Sequence, residues 1–119
     1  MKILVTGSSG FVGRNIIKFL GKDYDLYAPT RSQLDLSDEG EVKKYLQNKF
    51  FDVVIHCAII GGRRTTPDTS FVLQDNLKMF FNLMNNKNRF DRLINFSSGA
   101  DFDKTKNVNI NNHNLEDSY

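Results

Sequence analysis

The 119 residues are enough for one domain with a modest core. Hydrophobic residues make up 39% and charged residues 25%, which is typical of a soluble globular protein. The 16 basic and 14 acidic residues leave a net charge of +2, which is too balanced to indicate a nucleic-acid partner. The single cysteine excludes an internal disulfide and favours a reducing compartment, so we expect a cytoplasmic protein. We find no apolar run of membrane-spanning length and no signal peptide, so no membrane partner is expected.

The first stretch of the chain predicts a strand, a glycine turn and a helix. Residues 3–6 are β-favouring, Gly7, Gly10 and Gly13 follow at even spacing, and residues 11–20 have an amphipathic helical pattern. In this context Gly7 allows a tight turn, Gly10 lets the backbone approach a pyrophosphate, and Gly13 lets the helix pack on the strand. The free amides at the helix start favour a phosphate. The stretch therefore predicts a dinucleotide site.

The rest of the chain alternates predicted strands and helices. Strands are expected at residues 25–28, 33–36, 51–57 and 92–97, and the unbroken apolar run at 53–55 suits a strand covered on both faces. A helix should begin after Ser37 or Asp38, and a longer helix should cover about residues 68–86. The apolar positions predicted to face the core from the first, second and third helices are Val12, Ile16, Ile17 and Leu20; Val42, Tyr45 and Leu46; and Val72, Leu77, Phe80, Phe81 and Met84. The alternation predicts an α/β protein with a parallel sheet.

The glycine motif, Thr6-Gly7-x-x-Gly10-Phe11-x-Gly13, resembles that of the extended short-chain dehydrogenase/reductase family, the NAD-dependent epimerases and dehydratases. The resemblance implies a Rossmann-like, doubly wound, three-layer α/β/α fold with strand order 3-2-1-4-5 and a crevice at the carboxyl ends of the strands. It also implies an NAD(P) cofactor and a nucleotide-sugar substrate. The cofactor-binding positions that follow are Thr6, Gly7, Ser9, Gly10, Phe11, Val12, Gly13, Arg31, Asp35, Leu36, Cys57, Ala58 and Asn76.

Two charged residues beyond the second strand bear on the choice of cofactor. Arg31 stands where NAD-dependent relatives usually have an acid, and a guanidinium can bind a 2′-phosphate bidentately. The residues therefore favour NADP over NAD, although a solvated surface arginine is the alternative. Asp35, with Leu36, resembles the family's adenine-binding pair. The alternative, that Asp35 is an acidic residue placed at the start of a helix, explains its presence almost equally well.

The next positions come from the segment after the fourth strand and from the long helix. Small Ala58, following Cys57, suits the family's passage of backbone beneath the nicotinamide ribose. His56 is expected to be a packed, hydrogen-bonded residue rather than a base, and its surroundings have no metal-site spacing. Asn76 could brace the site or lie on a polar helix face. The run Gly61-Gly62-Arg63-Arg64 could hold a substrate phosphate, and a solvated basic loop is slightly favoured.

The last segment carries the catalytic residues that the resemblance implies. Ser98 matches the family's active-site serine, with Ser97 as the alternative register, and Tyr119 stands at the position of the catalytic tyrosine. The tyrosine would act as general acid and base during hydride transfer. The family's lysine would lie four places beyond Tyr119. We therefore expect residues 1–119 to be the cofactor-binding domain of a longer enzyme, truncated at the tyrosine and inactive alone. The alternative is a binding module without chemistry, and a homo-oligomer is possible in either case.

Overall fold

The computed structural model describes residues 1–61 and 70–96. Within these ranges strands and helices alternate along the chain. The elements are β1 (Lys2–Thr6), α1 (Phe11–Leu20), β2 (Asp25–Tyr27), α2 (Glu39–Leu46), β3 (Phe51–His56), α3 (Ser70–Met84), a 3-10 turn (Lys87–Arg89) and β4 (Phe90–Asn95). None of the described helices combines the length and the apolar character needed to cross a membrane.

The four strands form one parallel sheet in the order β2-β1-β3-β4. β1 is central: Leu4 pairs with Tyr27 of β2 on one side and with Val54 of β3 on the other. β3 in turn pairs with β4, placing His56 beside Asn95. Because every strand runs in the same direction, the loops that leave their carboxyl ends gather at one edge of the sheet. The doubly wound α/β fold is confirmed.

Each face of the sheet has its own core, which gives three layers. On one face Ile3, Val5 and Ile55 are buried and pack against α1. On the other face a larger cluster joins the sheet to α2 and α3, and its buried members are Leu4, Leu34, Leu36, Val42, Leu46, Phe51, Val54, Met79, Leu83 and Phe90. The side chains of successive strand residues point to opposite faces, so β1 contributes Leu4 to one core and Val5 to the other. The loops at the carboxyl edge are therefore anchored from both faces.

One predicted strand does not form. Residues 33–36 were expected to be the third strand, but the N–H groups of Gln33 and Leu34 both donate to the Thr30 carbonyl, at 3.0 and 2.9 Å, and make a turn. The alternation of Leu34 and Leu36 resembles a strand pattern, yet both side chains are buried beneath α2 and α3 without a strand between them. The observed strand order is therefore the predicted order without its third member.

The helices also differ from the sequence-based expectation in their detail. Asp38 caps α2 by accepting a hydrogen bond from the Glu41 N–H at 3.0 Å, as one of the two expected caps. In α3, Leu77 and Phe81 are exposed and Met79 and Leu83 are buried. The predicted stripe was therefore wrong at Leu77 and Phe81, while Val72, Phe80 and Met84 are partly buried. Apolar residues occur on most of the circumference of α3, so their period alone does not select the buried arc.

Candidate functional site

The loop between β1 and α1 is built around Gly7. Its φ of +71° lies in the left-handed region that side chains disfavour. A methyl group on Gly7 would lie 2.6 Å from the Ala58 nitrogen, so the loop packs directly on the backbone that follows β3. The Gly10 N–H donates to the Gly7 carbonyl at 3.1 Å and closes the turn. The local sequence thus fixes the start of α1 against the sheet.

The other two glycines of the motif have different surroundings. A methyl group on Gly13 would lie 2.1 Å from the Gly7 carbonyl oxygen, so Gly13 is where α1 meets the loop at closest approach. At Gly10 the nearest atom to such a methyl group is the Gly7 carbonyl oxygen at 3.4 Å, an ordinary contact. Gly10 precedes the first helical N–H groups, which have no partner within the helix. It therefore presents unobstructed backbone at the helix start.

A cleft of about 350 Å³ opens beside this loop, at the carboxyl edge of the sheet. Its walls come from the glycine loop, the segment after β2, the segment after β3, and one residue of α3. The residues that line it are Thr6, Gly7, Ser8, Ser9, Gly10, Pro29, Arg31, Leu34, Asp35, Leu36, Cys57, Ala58, Ile59, Ile60 and Met79. Nine of the thirteen predicted cofactor-binding positions are brought together here. The other four, Phe11, Val12, Gly13 and Asn76, are not among the lining residues.

Six lining residues had not been singled out from the sequence. Ser8 lies within the glycine motif itself, and its hydroxyl donates to the Pro29 carbonyl at 3.1 Å, which ties the loop to the end of β2. Ile59 and Ile60 directly follow Ala58, which had been predicted as a site residue. Their position next to it in the sequence could have indicated that they also line the cleft. Met79 and Leu34 gave no such signal, because their place in the cleft depends on how α3 packs against the turn after β2.

Arg31 lies on an exposed turn at the cleft. The Gln33 side-chain oxygen accepts hydrogen bonds from the Thr30 N–H at 2.9 Å and from the Thr30 hydroxyl at 3.2 Å. These local hydrogen bonds hold the backbone between Thr30 and Gln33 in a turn. A polar side chain, and not a neighbouring strand, accepts from the backbone here. The exposed guanidinium is thus at the cleft and available to an anion.

Asp35 is held in its ionised form within the cleft wall. One carboxylate oxygen accepts from the Ser37 hydroxyl at 2.6 Å and from the Ser37 N–H at 3.0 Å. These two bonds, with smaller contributions from the positive charges of Arg31 and Lys78, lower the pKa of Asp35 below its usual value. The side chain is therefore a carboxylate at neutral pH, able to accept a hydrogen bond from a bound molecule.

His56 is a buried neutral residue beneath the cleft, as the sequence predicted. Its Nδ1 lies 2.7 Å from the hydroxyl oxygen of Thr6, and the two groups share a hydrogen bond. Burial lowers the pKa of His56 to about 4. Cys57, the next residue, is half-buried, and burial raises the pKa of its thiol. Within residues 1–61 and 70–96, no three His, Cys, Asp or Glu side chains gather where they could hold a metal ion.

The remaining site predictions fall elsewhere. Asn76 binds the backbone of Ile60 from α3: its side-chain oxygen accepts from the Ile60 N–H at 2.8 Å, and its amide donates to the Ile60 carbonyl at 2.9 Å. The predicted catalytic residues Ser98 and Tyr119, the alternative Ser97, and the segment 62–64 lie outside the described residues.

The sequence matches one family model and several known proteins. Residues 3–118 match the model of the NAD dependent epimerase/dehydratase family. The chain is 36% identical to GDP-L-fucose synthase of Azorhizobium caulinodans over 83% of its length and 33% of that protein. It is 33% identical to GDP-L-colitose synthase of Yersinia pseudotuberculosis over 87% of its length and 35% of that protein. The chain therefore spans about a third of the length of these relatives.

A solved structure gives the same fold. A GDP-L-fucose synthetase from Naegleria fowleri, bound to NADP, superposes with a TM-score of 0.74 at 22% sequence identity, covering 92% of this chain and 34% of that one. At this identity the likeness establishes the fold alone, and it agrees with the parallel sheet described above. The match of the family model over nearly all residues carries the assignment further: the chain belongs to the NAD dependent epimerase/dehydratase family.

Proposed function

We propose that the cleft binds NADP or NAD, with the pyrophosphate at the start of α1. The observation that carries this proposal is the contrast among the three glycines: Gly7 and Gly13 are enclosed by backbone, and a methyl group on Gly10 would have one neighbour within 4 Å among the described residues, the Gly7 carbonyl oxygen at 3.4 Å. Oriented N–H groups and the helix dipole favour phosphate at such a place. The apolar side chains of Leu34, Leu36 and Met79 would then face the adenine, with the Asp35 carboxylate accepting from its amino group.

The whole protein, in this proposal, is an NAD(P)-dependent epimerase, dehydratase or reductase of nucleotide sugars. The names of the two curated relatives support this class, since both are synthases of GDP-linked sugars. Residues 1–119 would form the cofactor-binding domain, with Ser98 holding the reacting oxygen and Tyr119 transferring a proton to or from it. The bound nicotinamide would supply the hydride chemistry, and this domain would position it. Hydride transfer assayed with the full-length protein on GDP-sugars tests this part of the proposal, and cofactor binding without turnover would contradict it.

We also propose a cytoplasmic location and self-association. The first is supported by a single cysteine and no internal disulfide. The second is supported by β4, whose outer edge is unpaired within the described residues and could pair with another chain.

Gly10→Val is expected to weaken cofactor binding without unfolding the domain. The new side chain would occupy the open space in which the pyrophosphate should lie, while its Cβ has an ordinary contact with the protein. We expect NADP affinity, measured by calorimetry, to fall at least about tenfold, which corresponds to about 1.4 kcal/mol. Circular dichroism of the unliganded variant serves as the folding control. Unchanged affinity in a folded variant would refute the proposed pyrophosphate position.

Arg31→Glu is expected to shift the preference from NADP toward NAD. Arg31 is exposed at the cleft, and a carboxylate in its place would repel a 2′-phosphate and could accept from ribose hydroxyls. The ratio of NADP to NAD affinities should fall by about tenfold or more. Arg14→Glu makes the same charge change on an exposed residue of α1 that does not line the cleft. Equal ratios in the two variants would make Arg31 an ordinary surface residue.

A further inference from the structure

One edge of α3 is fastened to two walls of the cleft. Asn76 makes two hydrogen bonds with the backbone of Ile60, on the wall that follows β3. Asn82 is buried, and its amide donates at 2.8 Å to the carbonyl of Leu36, on the wall that follows β2. Met79, between them in the helix, is buried against Leu34 and Leu36 and lines the cleft itself. A single rigid helix thus contacts both walls.

The hydrogen bond from Asn82 to Leu36 also affects the position of Asp35. The Leu36 carbonyl and the Ser37 N–H belong to the same planar peptide group. Asn82 holds the oxygen of this group, and the Asp35 carboxylate accepts from its N–H at 3.0 Å. The orientation of that peptide, together with the Ser37 hydroxyl, therefore determines where the Asp35 carboxylate is held. Asn82 does not itself line the cleft, yet it acts on Asp35 through a single peptide plane.

Asn76 has the equivalent role toward the other wall, the segment that follows β3. The Ile60 N–H belongs to the peptide that joins Ile59 and Ile60, and the Ile60 carbonyl belongs to the next peptide along the chain. Asn76 engages both groups, at 2.8 and 2.9 Å, so two successive peptide planes are fixed from α3. Ile59 and Ile60 line the cleft, and no strand or helix includes them. Since none of the described strands pairs with this segment, the backbone N–H and carbonyl of Ile60 are satisfied by the Asn76 side chain, which thereby positions this segment.

We propose that Asn76 and Asn82 are positioning residues that make α3 a spacer, setting the distance between the two walls of the cleft. The inference rests on the proposed function for its link to cofactor affinity. Without these bonds the walls would still belong to the fold, but each would sample several positions. A cofactor that contacts both walls would then have to order them on binding, which lowers affinity.

The test combines amide hydrogen exchange of the unliganded chain with NADP affinity. Asn76→Leu and Asn82→Leu remove the hydrogen bonds and keep the number and branching of the side-chain heavy atoms. Asn86→Leu is the matched control, because the Asn86 amide bonds only to the Asn82 carbonyl among the described residues and does not touch the cleft. We expect Ile60 to exchange about fivefold faster in Asn76→Leu, and Ser37 about fivefold faster in Asn82→Leu, from the loss of one to two hydrogen bonds. NADP affinity should fall about fivefold in each and remain unchanged in Asn86→Leu.

Further measurements separate positioning from general stability. A loss of global stability would accelerate exchange at core amides such as that of Val54 in proportion, whereas loss of positioning accelerates only the wall amides. Asn76→Asp keeps an acceptor for the Ile60 N–H and loses the donor to the Ile60 carbonyl. The exchange rate of the Ile60 amide in this variant should therefore lie between the rates in the wild type and in Asn76→Leu. Wall amides that exchange as in wild type would overturn the inference. If the wild-type chain does not bind NADP, the proposed function fails, and the exchange rates still decide whether α3 holds the walls.

Discussion

Gly13→Ala is expected to lower the free energy of unfolding by about 3 kcal/mol, the upper part of the range for overpacking substitutions. The added methyl group would lie 2.1 Å from the Gly7 carbonyl oxygen, 2.8 Å from the Gly7 carbonyl carbon and 3.1 Å from the Ser8 Cα. All three neighbours are backbone atoms, so no side chain can rotate away to relieve the overlap. α1 must instead move away from the loop, and Ile16, Ile17 and Leu20 would lose contact with Ile3, Val5 and Ile55.

Urea denaturation measures this effect, and Gly10→Ala provides the matched control. The same chemical change at Gly10 meets its nearest atom at 3.4 Å, and the backbone there is extended, with φ of −77° and ψ of 169°. We expect the control to cost less than about 1 kcal/mol, mainly because alanine is a poorer helix N-cap than glycine. Alanine is a better helix former than glycine inside a helix, so propensity opposes the loss expected at Gly13. A loss at Gly13 no larger than that of the control would therefore refute the contact with Gly7 as the reason for glycine at this position.

Acid is expected to destabilise the domain through His56. The folded pKa of this residue is about 4, lowered by burial, and the unfolded pKa is about 6.5. Above the unfolded value the imidazole is neutral in both states and contributes no pH dependence. As the pH falls below it, the unfolded chain binds a proton that the folded chain excludes, so the free energy of unfolding decreases. The decrease should amount to about 3 kcal/mol by pH 4.

His56→Gln isolates this contribution. Glutamine keeps a polar group near the Thr6 hydroxyl and does not titrate. All other ionisable groups are present in both proteins, so the difference between their stability curves at each pH reports His56 alone. We expect the stability of the wild type to fall more steeply than that of the variant between pH 6.5 and pH 4, whatever their difference at neutral pH. Parallel curves would show that His56 protonates without opposing the fold.

The sequence was sufficient for the parts of the site that are local in the chain. The strand, glycine turn and helix could be predicted because Gly7 and Gly13 are required by contacts within the same short stretch. His56 was expected to be a packed residue because no triad partners lie near it in the sequence, and its burial and its bond with Thr6 bear this out. Asp35 lines the cleft although the strand assigned to it does not form.

The parts that were missed depend on contacts between distant segments. Leu34 and Leu36 alternate as strand residues do, and only the packing of α2 and α3 over them determines that they are core residues of a loop. Asn82 was not selected because nothing in its own helix distinguishes it from other asparagines. Its partner is the Leu36 carbonyl, far away in the chain. A pattern within one element cannot reveal a bond whose second partner is the backbone of another.

The central place of β1 has a consequence for the order in which the domain is assembled during synthesis. Of the four described strands, β1 is made before the others, and β2 soon offers it one neighbour, but its other edge pairs with β3, which is made much later. Such long-range parallel pairing is slow, because a long loop must close before its contacts form. The rest of the cleft wall, which includes Cys57, Ala58 and Met79, follows β3 in the chain. A nucleotide therefore meets only an incomplete cleft while the first half of the chain is emerging, and it can stabilise the folded domain fully only after β3 has docked.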